Sequence, residues 1–185
     1  MRIAFCMLTA FLLIISCRYD NGKVVEYYPT GEKFGEGYMK NGKKEGHWIT
    51  WYEDGSKLGE YNYLRGEFDG KIMQWYRNGK IQSSSRYILG NPIDTSKRYF
   101  KNGSLNYIEY YIEPGIREGK FTIWHKNGVI SQIGFYKNGK MDGEWKTFDK
   151  NGVLESVSYY QVGDSVGNWL DYDKRDYLIN VDSSK

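Results

Sequence analysis

Cysteine is almost missing from this 185-residue chain: Cys6 and Cys17 are the only two, and both lie within its first 17 residues. Beyond that point a disulfide framework, a CxxC redox pair and thiolate metal ligation are excluded, so the domain must hold itself by packing and backbone pairing alone. Proline is scarce, with 3 residues, and histidine scarcer, with 2. His47 and His125 show no HxxxH or His/carboxylate spacing, so a catalytic zinc site is not supported. No GxSxG nucleophile elbow is present. Charge of one sign does not dominate either, since 26 Lys+Arg against 23 Asp+Glu give a net charge of only +3. That excludes the strongly basic profile of a dedicated nucleic-acid binder. No long stretch repeats its apolar residues with a helical period.

Aromatics and glycine are what the chain has in quantity: 18 Tyr, 8 Phe, 6 Trp and 22 Gly. This composition favours strands joined by glycine turns. One set of glycines, Gly31, Gly55, Gly79, Gly103, Gly128 and Gly152, recurs every 24 or 25 residues. A second set, Gly42, Gly66, Gly90, Gly115, Gly139 and Gly163, recurs with the same steps between them. Self-similarity of this kind is the mark of a repeat architecture. Asn41-Gly42, Asp54-Gly55, Asn78-Gly79, Asn102-Gly103, Asn127-Gly128, Asn138-Gly139 and Asn151-Gly152 are dipeptides suited to type I′ hairpin turns. A further glycine follows the second set by four residues, at Gly46, Gly70, Gly119, Gly143 and Gly167, with Asp94 in its place in the third copy. Glycine within a strand pattern marks a bulge or a close backbone approach.

Between the turns, Trp51, Trp75, Tyr99, Trp124, Phe148 and Tyr172 occupy one equivalent position, and Trp48, Ile72, Phe121, Trp145 and Trp169 another, three residues earlier. Ser96 breaks the second column. An odd separation puts the columns on opposite faces of a sheet. The expected fold is all-β: an elongated single-layer antiparallel meander of about six tandem 24-residue β-hairpin repeats.

The first residues read differently. After Arg2 an apolar run extends from Ile3 to Ile15, shorter than the about 20 residues a spanning helix needs. It has the n-region and h-region of a secretory signal. Ile14-Ile15-Ser16-Cys17 resembles the lipobox of bacterial lipoproteins, which implies cleavage before Cys17, a thioether lipid on its sulfur and an acylated amino terminus. An ordinary cleaved signal, or a short uncleaved anchor, is the alternative. The expected organisation is a lipoprotein signal peptide at 1–16, a tether at 17–23, the repeat array at 24–173 and a C-terminal tail or capping strand at 174–185.

Two stretches carry a second resemblance. Tyr136-Lys137-Asn138-Gly139-Lys140-Met141-Asp142-Gly143-Glu144-Trp145 and Met39-Lys40-Asn41-Gly42-Lys43-Lys44-Glu45-Gly46-His47-Trp48 are similar to the bacterial variant of the MORN repeat, which also characterises YwqK-type antitoxins. The likeness runs from about residue 23 to 173 and is weakest at Asn91-Pro92-Ile93-Asp94-Thr95-Ser96, where an irregularity or functional break is expected.

Signals of small-molecule chemistry fail on inspection. Gly37 to Lys44 spells GxxxxGK, but the P-loop Ser/Thr is replaced by Lys44, and no helix start follows. Asp171 and Asp173 are two apart, as solvated strand carboxylates often are. No enzyme, metal or cofactor is therefore expected. Basic residues flank the turns, with Arg77, Lys101, Lys126 and Lys150 on one rim and Lys40, Lys43, Lys137 and Lys140 on the other, as solvated hairpin tips require.

The expected function is that of a non-enzymatic lipoprotein of the cell envelope, held to the membrane through lipidated Cys17 and acting as a protein-binding or scaffold module. A glycan is a second kind of partner, and nucleic acid is not one. Trp51, Trp75, Tyr99 and Trp124 form the candidate binding row, with mutual packing in the sheet as the competing role. The YwqK-type likeness implies, alternatively, an antitoxin or immunity protein that neutralises a toxin by direct binding.

Overall fold

The computed structural model describes residues 21–166, 169–172 and 178–181, and every regular element among them is a β-strand. The chain forms two compact units, Met1–Gly90 and Asn91–Lys185. Cys17 and the expected signal peptide at 1–16 lie outside the described residues.

In the first unit β1 (Asn21–Tyr27), β2 (Lys33–Lys40), β3 (Lys43–Trp51), β4 (Lys57–Leu64), β5 (Glu67–Phe68), β6 (Gly70–Trp75) and β7 (Ile81–Ile88) follow one another. β5 and β6 continue one course beside β4, and each course pairs antiparallel with the next. β1 begins at Asn21, three residues before the expected start of the array at Val24, because Asn21, Gly22 and Lys23 pair with Lys40, Met39 and Tyr38.

The second unit repeats the plan with β8 (Asn91–Tyr99), β9 (Leu105–Glu113), β10 (Ile116–Arg117), β11 (Gly119–Trp124), β12 (Ile130–Lys137), β13 (Lys140–Phe148), β14 (Leu154–Gln161), β15 (Asp164–Ser165), β16 (Trp169–Tyr172) and β17 (Leu178–Val181). Pairing is again sequential and antiparallel. Within the segment 174–185, expected to be a tail or capping strand, β17 pairs antiparallel with β16.

The turns correct the sequence reading. A type I′ turn needs positive φ at both central residues. Only Asn41-Gly42 and Asn138-Gly139 of the seven expected pairs meet that, while Arg65-Gly66, Leu89-Gly90 and Val162-Gly163 also do. At Asp54-Gly55, Asn78-Gly79, Asn102-Gly103, Asn127-Gly128 and Asn151-Gly152 the glycine alone has positive φ. In the Tyr52–Ser56 loop, the Gly55 N–H donates to the Tyr52 carbonyl and the Tyr52 N–H to the Ser56 carbonyl, both at 2.9 Å. That is a type I turn closed by a left-handed glycine. Asp or Asn precedes the glycine for a different reason: its side-chain oxygen accepts an N–H two residues on, from Ser56, Lys80, Ser104 and Val129 in turn.

The other rim is tied from one repeat to the next. The glycine N–H of each later turn donates to a carbonyl of the preceding repeat: Gly66 to Lys44, Gly90 to Phe68, Gly115 to Pro92, Gly139 to Arg117 and Gly163 to Met141. The residue before that glycine adds a second bond, its backbone N–H donating to a carboxylate: Arg65 to Glu45, Leu89 to Asp69, Asn138 to Glu118 and Val162 to Asp142. Each carboxylate precedes a left-handed glycine, Gly46, Gly70, Gly119 or Gly143. Asp94, at that glycine position, takes the same left-handed φ of 59°, which aspartate tolerates better than most side chains.

Candidate functional site

Alternation along the strands separates a packed face from an outward one. In the first unit the packed face centres on Trp48, which is fully buried. Its indole lies flat on Gly37, where a Cβ would sit inside the ring. Its Nε1 donates to the Tyr38 carbonyl at 3.1 Å, Lys44 Nζ stands 3.9 Å from the ring centroid, and Tyr63 meets its edge. Tyr61, Tyr63, Phe68 and Tyr87 extend the cluster through ring contacts of 5.0 to 6.3 Å. Burial there pushes the Tyr63 hydroxyl up to about 12. In the second unit Trp145 sits over Gly134 in the same way, donates to the Phe135 carbonyl at 3.2 Å, and packs with Phe121, Tyr136 and Tyr160.

One place on the packed face of the second unit departs from this plan. Ser96, buried, stands at the position that Trp48 and Trp145 hold in their repeats, and its partner across β8 and β9 is Glu109. Glu109 is also buried, and accepts from the Tyr111 hydroxyl at 2.7 Å and from Arg117 Nε at 2.8 Å. Arg117 in turn lies 5.2 Å from the Tyr136 ring centroid. Burial and the Glu109 carboxylate raise the Tyr111 hydroxyl above its ordinary range. The irregularity expected at residues 91–96 is thus a polar replacement for an indole, with a carboxylate in the vacated layer and an arginine to neutralise it.

The expected binding row sits less openly than its composition implies. Trp51, Trp75, Tyr99 and Trp124 are all half-buried at strand ends, Trp51 and Trp75 in the first unit and Tyr99 and Trp124 in the second. Lys33 lies 4.7 Å from the Trp51 ring centroid and Lys57 lies 5.2 Å from that of Trp75. The same lysines reach Glu36 and Glu60, at 2.9 and 2.6 Å. The Trp51 and Trp75 carbonyls accept from the Tyr28 and Tyr52 hydroxyls, both at 2.9 Å. His125 does this work for its repeat, its Nε2 meeting the Phe148 carbonyl at 2.8 Å, so it fills a tyrosine position as a structural group.

The open aromatics of the second unit are different residues. Tyr110, Phe135 and Tyr159 are 40%, 51% and 39% exposed, and they occupy equivalent positions on β9, β12 and β14. Across the sheet Thr95 faces Tyr110, Lys120 faces Phe135, and Glu144 faces Tyr159. The outward row therefore reads Thr95, Tyr110, Lys120, Phe135, Glu144, Tyr159. Lys146 pairs with Glu144 at 2.6 Å and chiefly holds its carboxyl below the ordinary range, with a smaller contribution from Tyr159, which donates to it at 3.1 Å. A signal for this row was present in the sequence. Tyr110-Tyr111, Phe135-Tyr136 and Tyr159-Tyr160 are aromatic doublets, and adjacent strand residues point to opposite faces. One ring of each doublet packs, and the other must face outward.

No cluster of His, Cys, Asp and Glu able to hold a metal ion occurs among the described residues. No helix there is long and apolar enough to cross a membrane.

Sequential hairpins, stacked turns and a repeated packed face define a tandem β-hairpin repeat protein. Residues 44–64, 68–88, 117–138 and 141–161 match the family model of the MORN repeat variant. No curated protein matches the chain. Ser96 and Glu109 fall between the second and third matched segments.

Proposed function

We propose that this chain is a non-enzymatic binding module of the bacterial cell envelope, tethered to the membrane by lipid on Cys17 and holding a partner against the outward face of its sheet. The observation that carries the binding role is the row of Tyr110, Phe135 and Tyr159, three large rings left substantially open on a sheet of paired repeats. Aromatic side chains placed this way supply contact area at small entropic cost, which is why they dominate binding surfaces. The lipobox at Ile14-Ile15-Ser16-Cys17 supports the anchor. With β1 starting at Asn21, three residues separate the lipidated cysteine from the first strand, so that strand would begin within about 15 Å of the membrane surface.

The test has two arms. Cys17→Ala should abolish incorporation of a palmitate analogue and move the protein out of the membrane fraction. Label persisting in that variant, or an unlabelled soluble wild type, overturns the anchor. Phe135→Ala should keep the melting temperature and lose the partner retained from envelope extracts. Unchanged retention overturns the role given to this face.

A further inference from the structure

The outward row of the second unit has an order that restricts what can lie on it. We propose that it binds a β-1,4-linked glycan strand running across the β-strands, with one disaccharide per hairpin repeat. The proposal rests on the binding-module reading and gives it a ligand class.

Spacing is the first argument. Tyr110, Phe135 and Tyr159 stand on alternate strand courses, and two courses advance the sheet by about 10 Å. An extended β-1,4-linked disaccharide has about that length. Every second sugar would therefore meet an aromatic ring, and three rings would register with sugars one, three and five. An α-1,4-linked chain coils and cannot keep that register.

Chemistry is the second argument. A pyranose carries an apolar C–H face and a rim of hydroxyl or amide groups. The row offers both in alternation, since Lys120 faces Phe135 on one side, Asp142 faces it on the other, and Glu144 faces Tyr159. The same alternation disfavours a protein partner, whose anchors need contiguous desolvated pockets. Here charged residues face two of the three rings.

Rigidity is the third. Each outward ring is backed by a packed neighbour, Tyr111, Tyr136 or Tyr160, and the Trp145 indole fixes the Phe135 carbonyl at 3.2 Å. The backbone that carries the rings is held in place before any ligand arrives, which lowers the entropic cost of binding.

The experiment uses the full chain in detergent micelles, titrated calorimetrically with chitohexaose, cellohexaose and maltohexaose. At least one of the two β-1,4 hexasaccharides should bind, and maltohexaose should not. Affinity should step upward from tri- to pentasaccharide, as a third ring is engaged, and change little from penta- to hexasaccharide. Phe135→Ala should lower affinity about tenfold, with Phe135→Trp restoring it. Phe135 is half exposed, so the variant's melting temperature should match wild type and separate lost binding from lost fold. Absence of binding to both β-1,4 hexasaccharides, equal binding of maltohexaose, or affinity indifferent to Phe135→Ala overturns the proposal. If both fail to bind while Phe135→Ala still abolishes retention of a protein from envelope extracts, the ligand class falls and the binding-module reading survives.

Discussion

The two units use one backbone plan to present different faces. In the first, the outward row reads Lys23, Tyr38, His47, Asn62, Lys71, Arg86, with Lys23 facing Tyr38, His47 facing Asn62, and Lys71 facing Arg86. In the second, the equivalent positions are Thr95, Tyr110, Lys120, Phe135, Glu144 and Tyr159. One row is basic and polar around a single tyrosine; the other is aromatic at every second place. The packed faces stay alike where they can, with Trp48 on Gly37 in one unit and Trp145 on Gly134 in the other. Packing constrains the inner positions to shapes that fit, whereas solvent accepts many residues on the outer ones. Function is free to differ on the face that stability does not use.

The largest effect should come from the shared anchors. Trp48→Ala and Trp145→Ala each remove a buried indole with contacts on several sides, and each should cost about 3–5 kcal/mol by urea denaturation. Similar losses in the two units would confirm that the inner plan is common. A loss below about 1 kcal/mol for either would show that its unit is held by something else.

Glu109 sharpens the comparison. Replacing it with Ala strands Tyr111 and leaves the Arg117 charge without its carboxylate, and the expected cost is about 1–3 kcal/mol. Arg117 is partly exposed, which limits the loss. If Glu109→Ala is neutral, the polar layer at Ser96 contributes no more than a solvated patch.

Alkaline pH should expose the packed tyrosines. The Tyr63 hydroxyl is raised by burial to about 12 from an ordinary value of 10.0. The unfolded chain thus ionises first, and stability that is complete below pH 10 declines as pH rises from 10 toward 12. Tyr111 shifts in the same direction, through burial and then Glu109. Urea midpoints measured at neutral pH and near pH 11 should fall more for wild type than for Tyr63→Phe or Tyr111→Phe. Equal falls in wild type and both variants would place the alkaline sensitivity elsewhere.

Much of this was legible in the chain. Glycines at fixed steps revealed the hairpins, and the recurring column that holds Trp48 and Trp145 marked the packed face. Turn type was not legible from the dipeptides alone. Asn78-Gly79 and Asn138-Gly139 look alike, yet Asn78 accepts a bond from the Lys80 N–H whereas the Asn138 N–H donates to Glu118 from the preceding repeat. Loop length and a partner 20 residues away decide between them, and a dipeptide carries neither. Ser96 was visible as a break, but Glu109 was not, because its relevance depends on strand register. The exposed row was readable from its doublets. Trp51, Trp75, Tyr99 and Trp124 drew attention instead by recurring at one position of the repeat, and recurrence does not tell how far a side chain is left open.

The finest test transfers one row into the other unit. Asn62→Phe with Arg86→Tyr, beside native Tyr38, would give the first unit three aromatic rings at the positions of Tyr110, Phe135 and Tyr159. Arg86 is exposed, but the Asn62 amide donates to the Lys71 carbonyl at 2.7 Å. The double variant should therefore lose no more than about 1 kcal/mol of stability. If aromatic spacing on this sheet is sufficient for glycan capture, calorimetry with the β-1,4 hexasaccharide that wild type binds should give two sites where wild type gives one. A single site in a folded double variant would mean that Lys120 and Glu144 are needed between the rings. Placing Lys at position 47 and Glu at position 71 in that background should then recover the second site, and continued failure would show that ring spacing and intervening charge do not together specify it.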